Sequence, residues 1–206
     1  MELPPNIILE ILLQSDYKDI INLCSKFPNF YYICKDPYFW ARKAEMDFGI
    51  SPQDLILLPG NNKNRYEYIR TVDPQSGLIM ASRIGSLALV KLFISYGADD
   101  FSQAMVEGAQ NGHIRIVKYL LDLGANLYNL ATLLAAENGY FDIVKLLIEA
   151  GANNLDEVLL VAAAKGYSDI AKLMLEKGAK DYYRAMYAAR SKRHPEIVNL
   201  IKSFIS

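Results

Sequence analysis

NGHIRIVKYLLDLGAN occupies residues 111–126, and NGYFDIVKLLIEAGAN follows at residues 138–153. The second is a copy of the first, with Gly112 and Gly139 27 residues apart. Working outward by the same step, Gly85, Gly112, Gly139 and Gly166 form one column, and Gly97, Gly124, Gly151 and Gly178 form another. Repetition at this period implies a stacked array of small units, none of which can bury its apolar face without neighbours.

Each period reads as a pair of helices. Four residues before the first glycine stand Ala81, Gly108, Ala135, Ala162 and, in the last period, Ala189, which let helices cross closely. Seven before it stand Leu78, Met105, Thr132, Leu159 and Met186, a mostly apolar knob. The glycine ends the first helix in a left-handed cap. The second helix is expected to bury Leu89, Ile116, Ile143, Ile170 and Ile197, with Leu92, Tyr119, Leu146, Leu173 and Leu200 one turn on. Lys91, Lys118, Lys145 and Lys172 form a solvated outer column, and the Gly-Ala pairs close the second helix. In the last period Arg193 replaces the glycine and Pro195 opens the second helix, while Arg190 and Lys192 add charge. A polar terminal unit is what a capping role requires.

Upstream the pattern changes. Residues 1–45 read as three short amphipathic helices. Pro4 and Pro5 lie at the mouth of the first, Asp16 caps the second and Pro28 starts the third. Asp36-Pro37 breaks the pattern, and Phe39-Trp40 closes it. Such a unit buries too little surface to stand comfortably alone. Residues 46–76 read as a connector with a short helix after Ser51-Pro52, a turn-rich run at 59–64 and a further helix over 65–72, stopped by Asp73-Pro74. The expected fold is therefore all-α: a three-helix head (1–45), a helical connector (46–76) and five helix pairs (77–206).

Composition narrows the function. A net charge of -1 gives no field to steer the chain toward nucleic acid. No apolar run is long enough to span a bilayer, and the N-terminus lacks the basic region of a signal peptide. Cys24 and Cys34 form no CxxC pair and have no histidine near them in sequence, so they read as buried free thiols in an intracellular, soluble, reduced protein. His113 and His194 both follow the first-column position, where other periods have Ser86, Tyr140 and Tyr167; a repeated structural place is a poor one for a catalytic base. No phosphate-binding glycine motif is present, and Asp99-Asp100, Asp142 and Glu149 read as caps and solvated faces. No enzyme, cofactor or metal site is expected.

Two resemblances sharpen this reading. Leu3-Pro4, Ile7-Ile8, Ile11-Leu12, Asp19-Ile20, Leu23, Phe30, Ile33 and Asp36-Pro37-Tyr38-Phe39-Trp40 resemble an F-box, with Lys26-Phe27 where that motif commonly has Val-Cys or Val-Ser. This implies docking onto the small adaptor subunit of SCF-type ubiquitin ligases, through Leu3, Pro4, Ile8, Ile11 and Leu12. The 27-residue unit resembles the ankyrin repeat, shortened from the usual ~33 residues, with the projecting hairpin fingers trimmed to tight turns. That implies a concave target-binding face made of first helices and turns. Asp100, Phe101, Gln103 and Glu107 would lie on it, as would Tyr128, Asn129 and Leu134, then Glu157 and Val161, then Tyr182, Tyr183 and Arg184. Phe101, Tyr128 and Tyr182 are equally readable as plugs between neighbouring turns. The pairing of the two modules resembles proteins of large DNA viruses of amoebae, which implies action in a host cytoplasm on host ubiquitin machinery; outside the ligase complex the chain is expected to be a monomer. The alternative is an ankyrin scaffold whose N-terminal helices only cap the array. Exposure of Leu3, Pro4, Ile8 and Ile11 together would favour the recruiter.

Overall fold

The computed structural model describes residues 3–205, which form sixteen helices and no strand. The head has four helices rather than three: α1 (Pro5–Gln14), α2 (Tyr17–Lys26), α3 (Pro28–Lys35) and α4 (Pro37–Phe48). The difference lies at Asp36-Pro37. Asp36 accepts a hydrogen bond from the Tyr38 amide and proline occupies the first turn, so the apparent stop also starts a helix. Asp73-Pro74 acts in the same way at the array. Trp40 on α4 is buried against Phe39, Tyr17 and Tyr66, and its indole N–H donates to the Cys34 carbonyl at 2.8 Å.

α2 and α3 contribute one fully buried side chain between them, Ile20. They pack together across Phe27, and a disulfide joins Cys24 to Cys34 with Cα atoms 6.2 Å apart. This corrects the expectation of buried free thiols. Both residues are half-buried, and the bend at Phe27 brings together two helices whose sequence separation revealed no partner.

The connector consists of α5 (Pro52–Leu55) and α6 (Asn62–Thr71). α6 packs on α4, where Lys43 donates to the Leu13 carbonyl at 2.9 Å and to Asp47 at 2.7 Å. Asp47 in turn accepts from the Tyr66 hydroxyl at 2.5 Å, and Tyr17 donates to Glu67. Burial, reinforced by the Asp47 carboxylate, pushes the Tyr66 phenol upward, and burial with the Glu67 bond pushes Tyr17 up to about 12. A phenol with a folded pKa above its unfolded value of about 10 supports the fold fully below pH 10. Above that the unfolded chain ionises first, so the support falls away through pH 12. Urea melts followed by Trp40 fluorescence should show the head and connector weakening from pH 10 upward, with a shallower decline in Tyr66→Phe.

The array comprises α7 (Pro74–Ile84) and α8 (Leu87–Ser95), α9 (Phe101–Gln110) and α10 (Ile114–Asp122), α11 (Tyr128–Glu137) and α12 (Phe141–Glu149), α13 (Leu155–Lys165) and α14 (Ser168–Glu176), and α15 (Tyr182–Ser191) and α16 (Pro195–Ile205). First helices pack on first helices along the stack, and one hydrophobic core runs from Ile8 to Ile201. The column starting at Leu89 is buried as expected. The column starting at Leu92 is only partly so, because the core position lies one residue further on, at Phe93, Leu120, Leu147, Met174 and Ile201.

Two devices join successive units. The first acts at the glycines. The His113 ring lies over Gly85, Tyr140 over Gly112, Tyr167 over Gly139 and His194 over Gly166. The second acts at the turns, residues 96–100, 123–127, 150–154 and 177–181, which are too short for hairpin fingers. A side-chain oxygen from the preceding first helix holds each one. Gln75 accepts from the Asp99 and Asp100 amides, and Ser102 from the Asn126 amide. Asn129 accepts from the Asn153 amide, and Asp156 from the Lys180 and Asp181 amides. At the head end Ser86 has no preceding glycine to cover. Its hydroxyl bonds Asp54 of α5 at 2.7 Å, which ties the connector to the first unit.

Candidate functional site

Two surfaces could hold partners. The first is on α1. A helix brings residues four apart onto one face, and Ile7 and Ile11 follow that spacing on α1, exposed by 40% and 38%, while Leu3, two residues before the helix, is exposed by 48%. Pro4 is exposed beside them. Ile8 and Leu12 are buried in the head's own core, which corrects their assignment as adaptor contacts. They face inward because α1 must use one side to pack on α3 and α4. Ile7, absent from the expected contact set, is exposed on the same face as Ile11. The neighbouring α3 adds Tyr31 and Tyr32 as exposed aromatics, and Phe27, at the Lys26-Phe27 departure, is exposed between α2 and α3.

The second surface is on the array. Many of the residues expected to bind a target are committed to the fold itself. Asp100 accepts from the Gln103 amide as a helix cap, and Gln103 is half-buried. Phe101, Tyr128 and Tyr182 pack their rings against the core, as do Leu134 and Val161, so the plug reading fits the three aromatics. Glu107 pairs with Arg83 at 3.0 Å, and Asn129 holds the Asn153 turn. Glu157, Tyr183 and Arg184 remain exposed, with Glu157 accepting from Asn154 and Arg184 pairing with Asp181 at 3.2 Å, and they are joined by Leu130 and Tyr187, which the sequence reading missed. Leu130 could have been found by counting 27 from Gln103 towards Glu157 and Arg184.

The His113 ring sits 3.0 Å from the Arg83 carbonyl and the His194 ring 3.4 Å from Glu196, both in the stacking column. No group of three His, Cys, Asp or Glu side chains that could hold a metal ion occurs among the described residues, and none of their helices is long and apolar enough to cross a membrane.

Family models match both modules. Residues 1–42 match the F-box domain, and residues 132–204 match ankyrin repeats in three copies. The chain thus joins an F-box to an ankyrin array, two helical modules of protein–protein interaction. The helix pairs α7–α8 and α9–α10, which precede the matched repeats, pack in the same way. A search of curated proteins found no match.

Proposed function

From an F-box joined to ankyrin repeats, we propose that this chain is a substrate-recruiting subunit of an SCF-type ubiquitin ligase. The head docks on the ligase adaptor through Leu3, Pro4, Ile7 and Ile11, and the repeats hold a target protein. The chain contributes proximity rather than chemistry, raising the effective concentration of target at the ligase. The observation that carries this reading is the exposed apolar stripe on α1. An array cap would turn such a stripe inward, whereas here Ile7 and Ile11 are exposed. Of the four residues whose joint exposure favours the recruiter, Leu3, Pro4 and Ile11 are exposed and Ile8 is buried, with Ile7 exposed beside Ile11, which favours the recruiter over the scaffold alternative.

Covering the remaining two fifths of each isoleucine contributes roughly 1 kcal/mol, and placing two carboxylates against the adaptor instead costs several kcal/mol more. Ile7→Asp/Ile11→Asp should therefore weaken adaptor binding by more than about 100-fold while circular dichroism remains unchanged. Calorimetric titration of purified adaptor into the intact chain and this variant is the test. No binding by the intact chain at micromolar adaptor, or equal binding by both, would sink the recruiting role.

A further inference from the structure

We infer that the outer face of the last repeat, built on Tyr183, Tyr187, Arg190 and Arg193, docks a short acidic protein segment. The inference rests on the reading of the array as a target-holding surface and names the chemistry of what it holds.

The face is defined by comparison along the columns. Residues 27, 54, 81 and 108 positions before Arg190 are Ala163, Ala136, Ala109 and Ser82, all fully buried. The counterparts of Tyr187 are Leu160, Leu133, Val106 and Ile79, buried or half-buried. The counterparts of Arg193 are the four glycines that lie beneath rings. In the last repeat these covered positions become a tyrosine and two arginines. Tyr183 and Tyr187 are 81% and 71% exposed, and Arg190 and Arg193 are exposed.

Blocking further stacking explains the arginines but not the tyrosines, since small polar or charged residues would solvate the end equally well. Exposed Tyr beside Arg is the composition of a binding anchor. Positions 183, 187 and 190 share one helical face, a strip about 10 Å long. Beyond it Arg190, Arg193, His194, Pro195, Val198 and Asn199 line an open cleft of ≈ 240 Å³ between α15 and α16.

Charge identifies the occupant. Residues 180–206 hold six Lys and Arg against two acids, a net of +4 on a chain whose balance is -1. Arg184 is engaged by Asp181, whereas Arg190, Lys192 and Arg193 make no ion pair among the described residues. Free guanidinium groups bind carboxylates in paired hydrogen bonds. The strip matches about three residues of extended chain at roughly 3.3 Å each. A nucleic acid would need a longer basic track, and the negative remainder of the chain opposes a long polyanion.

The test is fluorescence anisotropy of fluorescein-labelled hexaglutamate, with a single-stranded DNA hexamer as competing polyanion. The intact chain should bind the peptide saturably and more tightly than the DNA. Arg190→Ala/Arg193→Gly should weaken peptide binding at least about tenfold, and so should Tyr187→Ala. Lys118→Ala, in the outer column of α10, should leave it unchanged. Arg193 has φ 65, so glycine there relieves strain and Arg193→Gly alone serves as a safely folded variant. It should weaken binding by severalfold. Absence of saturable peptide binding, binding insensitive to the arginines, or preference for the DNA would each overturn the inference. Adaptor titrations on the same preparations report the head separately, so failure of that docking and failure of this one are distinguishable.

Discussion

Gly85→Ala should cost the array about 3 kcal/mol, while Gly97→Ala in the same repeat should cost about 1 kcal/mol. Both glycines have positive φ, 85° and 97°, so alanine is strained at either. They differ in what a Cβ would meet. At Gly97 nothing lies within 4 Å. At Gly85 it would stand 2.6 Å from His113 Cε1 and 2.7 Å from Nδ1. The ring cannot swing aside without breaking its bond to the Arg83 carbonyl. Forcing atoms into packed space adds roughly 1–3 kcal/mol to the backbone strain. Urea denaturation of the two variants is the direct measurement. In a His113→Ala background the Gly85→Ala cost should fall to that of Gly97→Ala, since the pair act through one contact. Equal losses at Gly85 and Gly97 in the intact background would show that the ring does not lock the repeats.

Lys43→Met should destabilise the head by about 3 kcal/mol. Lys43 is only 4% exposed, an unusual state for a lysine. Its ammonium satisfies the Leu13 carbonyl in the last turn of α1, where a helix terminus favours positive charge, and it also neutralises Asp47. Methionine fills the space but leaves the carbonyl unpaired and the carboxylate held only by Tyr66. Because those groups form one network, Lys43→Met and Tyr66→Phe should combine to less than the sum of their separate costs. Trp40, the single tryptophan, sits in this region and reports its unfolding. A loss under about 1 kcal/mol would mean that water replaces the ammonium, and that the network does not bind α1 to α4.

The period, the glycine turns and the small-residue crossings were legible because each recurs at fixed spacing and has one physical cause. The phase of the second helix was read one residue off, since Leu92 and Phe93 are both apolar and periodicity alone does not rank neighbours. Asp36-Pro37 and Asp73-Pro74 were read as stops because proline ends one helix and begins the next with the same residues. The rungs from Gln75 to Asp156 share only a side-chain oxygen, so no conserved letter marked them across the repeats. Lys43 was invisible because a lysine in an amphipathic helix reads as solvated, and only the third dimension brings the Leu13 carbonyl to it. On α1 the motif drew attention to the helix, but only burial on the head's own side shows that Ile7 is exposed and Ile8 is not.

The clasp that each first helix extends over the following turn has a consequence for the history of the chain. Each of the first four units carries both its grip on the next and the glycine that accepts the next ring, so a 27-residue cassette can be duplicated or lost without redesigning its neighbours. Arg190 ends that freedom, because a cassette added beyond it would have to bury a guanidinium where every earlier copy buries alanine or serine. Growth is open between the first and last units and closed at the far end, so such an array lengthens from within.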